Sequence, residues 1–160
     1  MQREKETNLI EYIVSRLEPV SITKISKIVF LIDYFHAKRY GKQYTRYIYH
    51  QYFLGPFDSN IYKDLQYSEL AGNIMVSTKS FCEDGKIVKK IHFLYIGDNN
   101  IFLDEDIKTI ADEVISQFKE KNIDEILEYI FSLEEVKNAE FSDIIKMTNE
   151  GYDNISPSLK

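Results

Sequence analysis

Ile25-Ser26-Lys27-Ile28-Val29-Phe30-Leu31-Ile32-Asp33-Tyr34-Phe35-His36 is the stretch on which the reading of the fold turns. Ile25, Ile28, Val29, Ile32 and Phe35 recur at helical spacing, and Phe30 and Leu31 widen that stripe over most of the circumference. Such a helix belongs at the centre of a domain, packed on more than one side. One acid, Asp33, sits in its middle. If buried, it needs donors or a cation, and a neighbouring backbone turn, Lys27, Lys38 or Arg46 could supply them. Ser21 or Thr23 opens the helix, and Gly41 stops it behind Lys38 and Arg39, cations placed where the dipole favours them.

On the N-terminal side, Thr7 or Asn8 caps a first helix carrying Leu9, Ile10, Ile13, Val14 and Leu17, which Glu18-Pro19 ends. On the other side, residues 44–54 hold Tyr44, Tyr47, Ile48, Tyr49, Tyr52 and Phe53; the residues favour a strand and their spacing also suits a short helix, and irregular or short extended structure ending at Gly55-Pro56 is the preferred reading. Asp58 or Ser59 caps a helix through Ile61, Tyr62 and Leu65, punctuated by Gly72-Asn73. Ile74–Cys82 and Ile87–Ile96 flank Asp84-Gly85, a strong hairpin signal, although alternation in the second arm is broken by Lys89. Asp104 or Asp106 opens a helix with Ile107, Ile110, Ala111, Val114, Ile115 and Phe118, and Asn122 or Asp124 opens another. Phe141, Ile144, Ile145 and Met147 suggest a last short helix. The expectation is an α+β chain, a mainly helical single domain over residues 1–150 with a β-hairpin in its second half, then a polar, loose tail at 151–160.

A chain of 160 residues is long enough to bury one core without disulfide or metal staples. Its net charge of −6 is uneven: residues 1–72 hold ten Lys and Arg against eight Asp and Glu, and residues 73–160 hold ten against eighteen. That field opposes nucleic acid, whose candidate patch is limited to Lys38, Arg39, Lys42 and Arg46. Cys82 is alone, so no internal disulfide forms, which fits a reducing compartment. The first residues are charged rather than signal-like, and no stretch approaches the ~20 apolar residues of a membrane span. A cytoplasmic protein is expected.

Catalytic patterns are missing. His36, His50 and His92 are scattered without zinc-ligand spacing, and no Gly-x-Ser-x-Gly elbow or glycine-rich phosphate loop occurs. Asp33 and His36, at i and i+3, suit a surface pair, and Cys82 suits a buried or idle thiol. No catalytic residue, cofactor or metal ligand is expected. Tyr44, Tyr47, Tyr49 and Tyr52 form either an interaction surface or a cover over the central helix, and both readings stand.

Four features in order resemble the Panacea (SocA-like) antitoxin domain family. They are Lys27–Asp33, matching its Lys-aliphatic-aliphatic-aromatic-aliphatic-x-Asp pattern; Tyr40-Gly41 followed by Thr45; Gly55-Pro56 followed by Ile61-Tyr62 and Leu65; and Ile144–Glu150 near the C-terminus. Asn149 stands where the family usually carries histidine, and the Pro-Trp pair often found soon after is absent. The resemblance implies an antitoxin, non-enzymatic, that docks onto a cognate protein toxin, typically encoded next door. In at least one branch of the family such a protein hands its toxin to a protease. The family-motif or partner-contact candidates are Lys27, Asp33, Gly41, Thr45, Tyr47, Tyr49, Tyr52, Gly55, Pro56, Tyr62 and Thr148.

The alternative reading is a DNA-binding transcriptional regulator, since two helices, a basic turn and a hairpin loosely fit a winged-helix-like element. Net charge and the lack of Lys or Arg at base-reading positions of the second helix stand against it. A hydrolase built on Asp33 and His36 is a third, weaker reading.

Overall fold

The computed structural model describes residues 4–98 and 100–147. Its axis is helix α2 (Ile22–Tyr40), in which every residue from Ile25 to Lys38 is buried. Ser21 caps it, its hydroxyl accepting from the Lys24 N–H at 3.2 Å. Gly41 ends it in the left-handed region at φ 80°, where a Cβ would be strained, and donates to the Ala37 carbonyl at 2.8 Å. Around α2 pack α1 (Glu4–Leu17), α4 (Glu105–Phe118) and α5 (Ile123–Phe131). Ile25, Ile28, Leu31 and Ile32 are wholly removed from solvent, and each contributes on the order of 2 kcal/mol. The apolar stripe read from the sequence on α4 is buried, as is that on α1 except for the half-buried Leu17, and α5 carries a full capping box between Asn122 and Glu125.

Two antiparallel hairpins complete the domain. The small one pairs β1 (His50–Tyr52) with β2 (Gly55–Phe57) across a Phe53-Leu54 turn. Helix α3 (Asn60–Leu70) follows. The large hairpin pairs β3 (Ile74–Glu83) with β4 (Lys86–Tyr95). Asp84 and Gly85 both have positive φ, 51° and 74°, the geometry that makes Asp-Gly a hairpin turn. The base of this hairpin is tied to Val20, beside the cis Glu18–Pro19 bond, by paired backbone bonds with Phe93 at 2.7 and 3.1 Å. Towards the tip both faces are open, and Ile87 and Ile91 are exposed. The broken alternation of the sequence reflects two solvated faces. No helix among the described residues is long and apolar enough to cross a membrane. The fold is α+β and mainly helical, with the expected hairpin in its second half.

Several boundaries differ from expectation for physical reasons. α1 begins at Glu4, so Thr7 and Asn8 lie inside it; the Glu6 carboxylate accepts the Arg46 N–H at 3.0 Å, a tertiary bond that secures the first turn. Gly55-Pro56 is the second arm of a hairpin rather than a closing corner. The start of α3, by contrast, agrees with expectation: Ser59 stands at the cap position and Asp58 accepts the Asn60 N–H at 2.9 Å. Residues 141–147 are not helical. Their backbone runs beside β1, with Gln51 N–H to Asp143 O at 2.8 Å, Ser142 N–H to Gln51 O at 2.7 Å and Ile145 N–H to Tyr49 O at 2.8 Å. The last short helix is α6 (Glu134–Lys137), one turn earlier in the chain. Thr148, Asn149 and the tail at 151–160 lie outside the described residues.

Candidate interaction site

Asp33 organises the irregular segment after Gly41. It is fully buried, and both its oxygens are used: Oδ1 accepts the Tyr44 and Thr45 N–H groups at 3.0 and 2.8 Å. Oδ2 accepts the Thr45 hydroxyl at 2.5 Å and the Tyr49 hydroxyl at 2.7 Å. Burial pushes its carboxyl up to about 6, opposed by these same bonds, first that from the Thr45 hydroxyl. The next amides are satisfied in turn: Arg46 N–H by Glu6, Tyr47 N–H by the Thr45 hydroxyl at 3.2 Å and Ile48 N–H by Asp58 at 2.8 Å. Five consecutive amides thus find side-chain acceptors, which explains how a segment without regular structure is held against the core.

That segment positions β1 and β2 over the start of α2. Lys27, only 2% exposed, donates to the Pro56 carbonyl at 3.0 Å and sits 5.8 Å from the Phe57 ring centroid. Desolvation lowers its ammonium from the ordinary value to about 8. Gly55 has φ +88°, and a Cβ there would lie 3.3 Å from Leu127 Cδ2 and 3.5 Å from Lys27 Cε. Glycine is therefore required twice over, by backbone and by space.

Between α2, the Phe53-Leu54 turn, α3 and Phe141 lies a groove of about 380 Å³. Ile22, Lys27, Tyr52, Phe53, Tyr62 and Phe141 are among its walls. Phe53 is 87% exposed, and Tyr52, Leu54, Tyr62 and Phe141 are also exposed. The rings are mutually arranged, Phe53 against Phe141 at 4.8 Å, Tyr52 against Phe141 at 5.8 Å and Phe57 against Tyr62 at 5.5 Å between centroids. A turn that exposes a phenylalanine and a leucine, rimmed by tyrosines, has the composition of an interface core.

The residues singled out in the sequence therefore fall into separate places. Lys27, Tyr52, Gly55 and Tyr62 line the groove, and Pro56 accepts from Lys27 beneath it. Asp33, Thr45 and Tyr49 form the buried knot, Tyr47 is buried with its hydroxyl 2.5 Å from Asp64, and Gly41 is a helix cap. Thr148 lies outside the described residues. Phe53, Leu54 and Phe141 were missed as groove residues; the signal for the first two was an apolar pair at a turn where Asn or Gly is usual.

Asp33 and His36 do not form a surface pair. Asp33 is occupied as described, and His36, itself buried, bonds the Lys42 carbonyl through Nδ1 at 2.6 Å. Cys82 is exposed on β3. In the basic cluster, Lys38 is ion-paired with Glu135 at 3.2 Å and Arg39 with Glu113 at 2.6 Å. Among the described residues no group of three or more His, Cys, Asp or Glu is placed to hold a metal.

Fold and site together define a small, mainly helical domain with an exposed aromatic groove. Residues 25–135, from the start of the buried part of α2 into α6, match the family described as antitoxin SocA-like, Panacea domain. The chain belongs to this family. The C-terminal resemblance at Ile144–Glu150 falls outside the matched range. Comparison with curated proteins and with solved structures gives no significant match.

Proposed function

We propose that this protein is the antitoxin of a toxin–antitoxin pair, a cytoplasmic, non-catalytic partner that neutralises a protein toxin encoded by the adjacent gene through direct binding. Membership of the SocA-like antitoxin family carries the reading. The exposed aromatic groove supports it, since Tyr and Phe offer large contact area at low entropy cost. Four buried polar groups that the sequence offers as site candidates, Asp33, Tyr47, Tyr49 and His36, are engaged in bonds that hold backbone or neighbouring side chains, which supports a structural role for them.

Expression of the adjacent gene with and without this chain tests the proposal. The neighbour should arrest growth alone, and this chain should restore growth and co-purify with it. A harmless neighbour, or rescue without any complex, would refute it.

A further inference from the structure

The groove also carries information about what enters it. Among the described residues two lysines are buried, Lys27 and Lys38, each 2% exposed. Lys38 has a carboxylate, that of Glu135. Lys27 has none among the described residues; its ammonium donates to one carbonyl and stands over the Phe57 ring, 5.8 Å from the centroid. An ammonium has three donors, so two find no hydrogen-bond partner among the described residues, at a site whose walls are mainly apolar and aromatic. Buried charges are normally paired, because an unpaired one is strongly penalised by the lost hydration. Desolvation is the only influence that moves its titration, which agrees with the lack of a neighbouring acid. Lys27 also belongs to the wall of the groove, whose other walls include the exposed rings of Tyr52, Phe53, Tyr62 and Phe141.

We infer that the groove is the toxin-docking site and receives a toxin segment in which an Asp or Glu lies between apolar or aromatic side chains. The carboxylate completes the hydrogen bonding of Lys27, and the flanking side chains pack on Phe53, Leu54, Tyr62 and Phe141. Charge complementarity selects this occupant: a purely apolar segment would cover the ammonium and leave its donors unpaired, whereas a carboxylate accepts both. The assignment rests on the antitoxin reading and specifies its contact chemistry.

The test uses the full-length chain and the product of the adjacent gene, with affinity measured by titration calorimetry. Phe53→Asp changes a side chain that is almost wholly in solvent, and Lys27→Met keeps the stem while removing the charge. Each should weaken binding by roughly 30-fold or more, with the thermal transition retained, while the hairpin-tip control Ile87→Ser binds as wild type. Each acid of the partner is then changed to its amide. One such change should reproduce the Lys27→Met loss, and the two together should lose little more than either alone, the signature of a coupled pair.

Wild-type neutralisation with unimpaired Phe53→Asp and Lys27→Met would overturn the groove and leave the antitoxin reading standing. A loss with Lys27→Met that no partner acid reproduces would overturn the carboxylate. Nuclear Overhauser contacts in the free chain from residues 148–160 to Phe53 and Tyr62 would make the chain's own tail the occupant and overturn the proposal. Absence of any binding or neutralisation by the wild type would remove the antitoxin reading and the docking site with it.

Discussion

Replacing Asp33 by alanine probes the knot that holds the 44–48 segment. The substitution strips partners from four donors, of which the Thr45 N–H, the Thr45 hydroxyl and the Tyr49 hydroxyl are buried and the Tyr44 N–H is partly so. A buried donor left unpaired costs ~1–3 kcal/mol, so three amount to about 6 kcal/mol. Against this, alanine removes a carboxylate whose own burial is unfavourable; the rise to about 6 corresponds to roughly 3 kcal/mol at neutral pH. The net expectation is a loss of about 3 kcal/mol at pH 7. Asp33→Asn should lose no more than about 1 kcal/mol. Its amide oxygen accepts both N–H groups, and its NH₂ donates to the two hydroxyls once their protons turn away. Urea unfolding followed by circular dichroism measures both, with the alanine midpoint falling by about 1.5 M at an unchanged slope near 2 kcal/mol/M. An alanine variant within 1 kcal/mol of wild type, or an asparagine variant as damaged as alanine, would refute the reasoning.

Three further outcomes follow from the same geometry. The Asp33 carboxyl titrates at about 6 when folded against an ordinary value of 3.8, so its contribution is fully present below pH ~4 and is lost as pH rises through 6. The stability of wild type relative to Asp33→Asn should fall by roughly 3 kcal/mol between pH 4 and 7, and a flat difference would contradict this. Lys27→Met should stabilise the free chain by about 1–2 kcal/mol at pH 7 while weakening toxin binding. Because the lysine titrates at about 8 when folded rather than 10.5, that gain should shrink from pH 8 upwards; thermal unfolding at several pH values decides it. Gly55→Ala, at φ +88° and facing Leu127 and Lys27, should cost ~1–3 kcal/mol by urea unfolding, and a neutral result would mean that the joint is slack.

What was legible in the sequence is what depends on neighbours in sequence. The circumference of α2, its Ser21 and Gly41 ends, the Asp84-Gly85 turn and the Asn122 cap are all local signals, and each is where its residues placed it. Asp33 as the cap of a backbone turn was also legible, because a buried acid in an apolar helix has few other fates. The rest depends on long-range pairing. The first described turn of α1 is tied down by Glu6 accepting the N–H of Arg46, forty residues away. Ile144 and Ile145 read as a helix because their spacing is helical, but the edge of β1 offers their backbone a partner that spacing cannot reveal. The tyrosine run left two readings open, and its members divide: Tyr47 and Tyr49 turn inward to carboxylates as a cover would, while Tyr52 stands exposed at the groove. The groove itself unites α2, the Phe53-Leu54 turn, α3 and Phe141, a convergence that only the fold creates.

The most direct test of the account is a titration of the adjacent gene product's toxic activity in vitro with increasing amounts of this purified chain. Neutralisation by docking predicts inhibition that rises linearly and breaks at a fixed whole-number ratio of chain to toxin, with activity returning when the complex is dissociated. Complete and lasting inactivation by a small fraction of an equivalent would show that this chain acts catalytically on its target and would contradict the central claim.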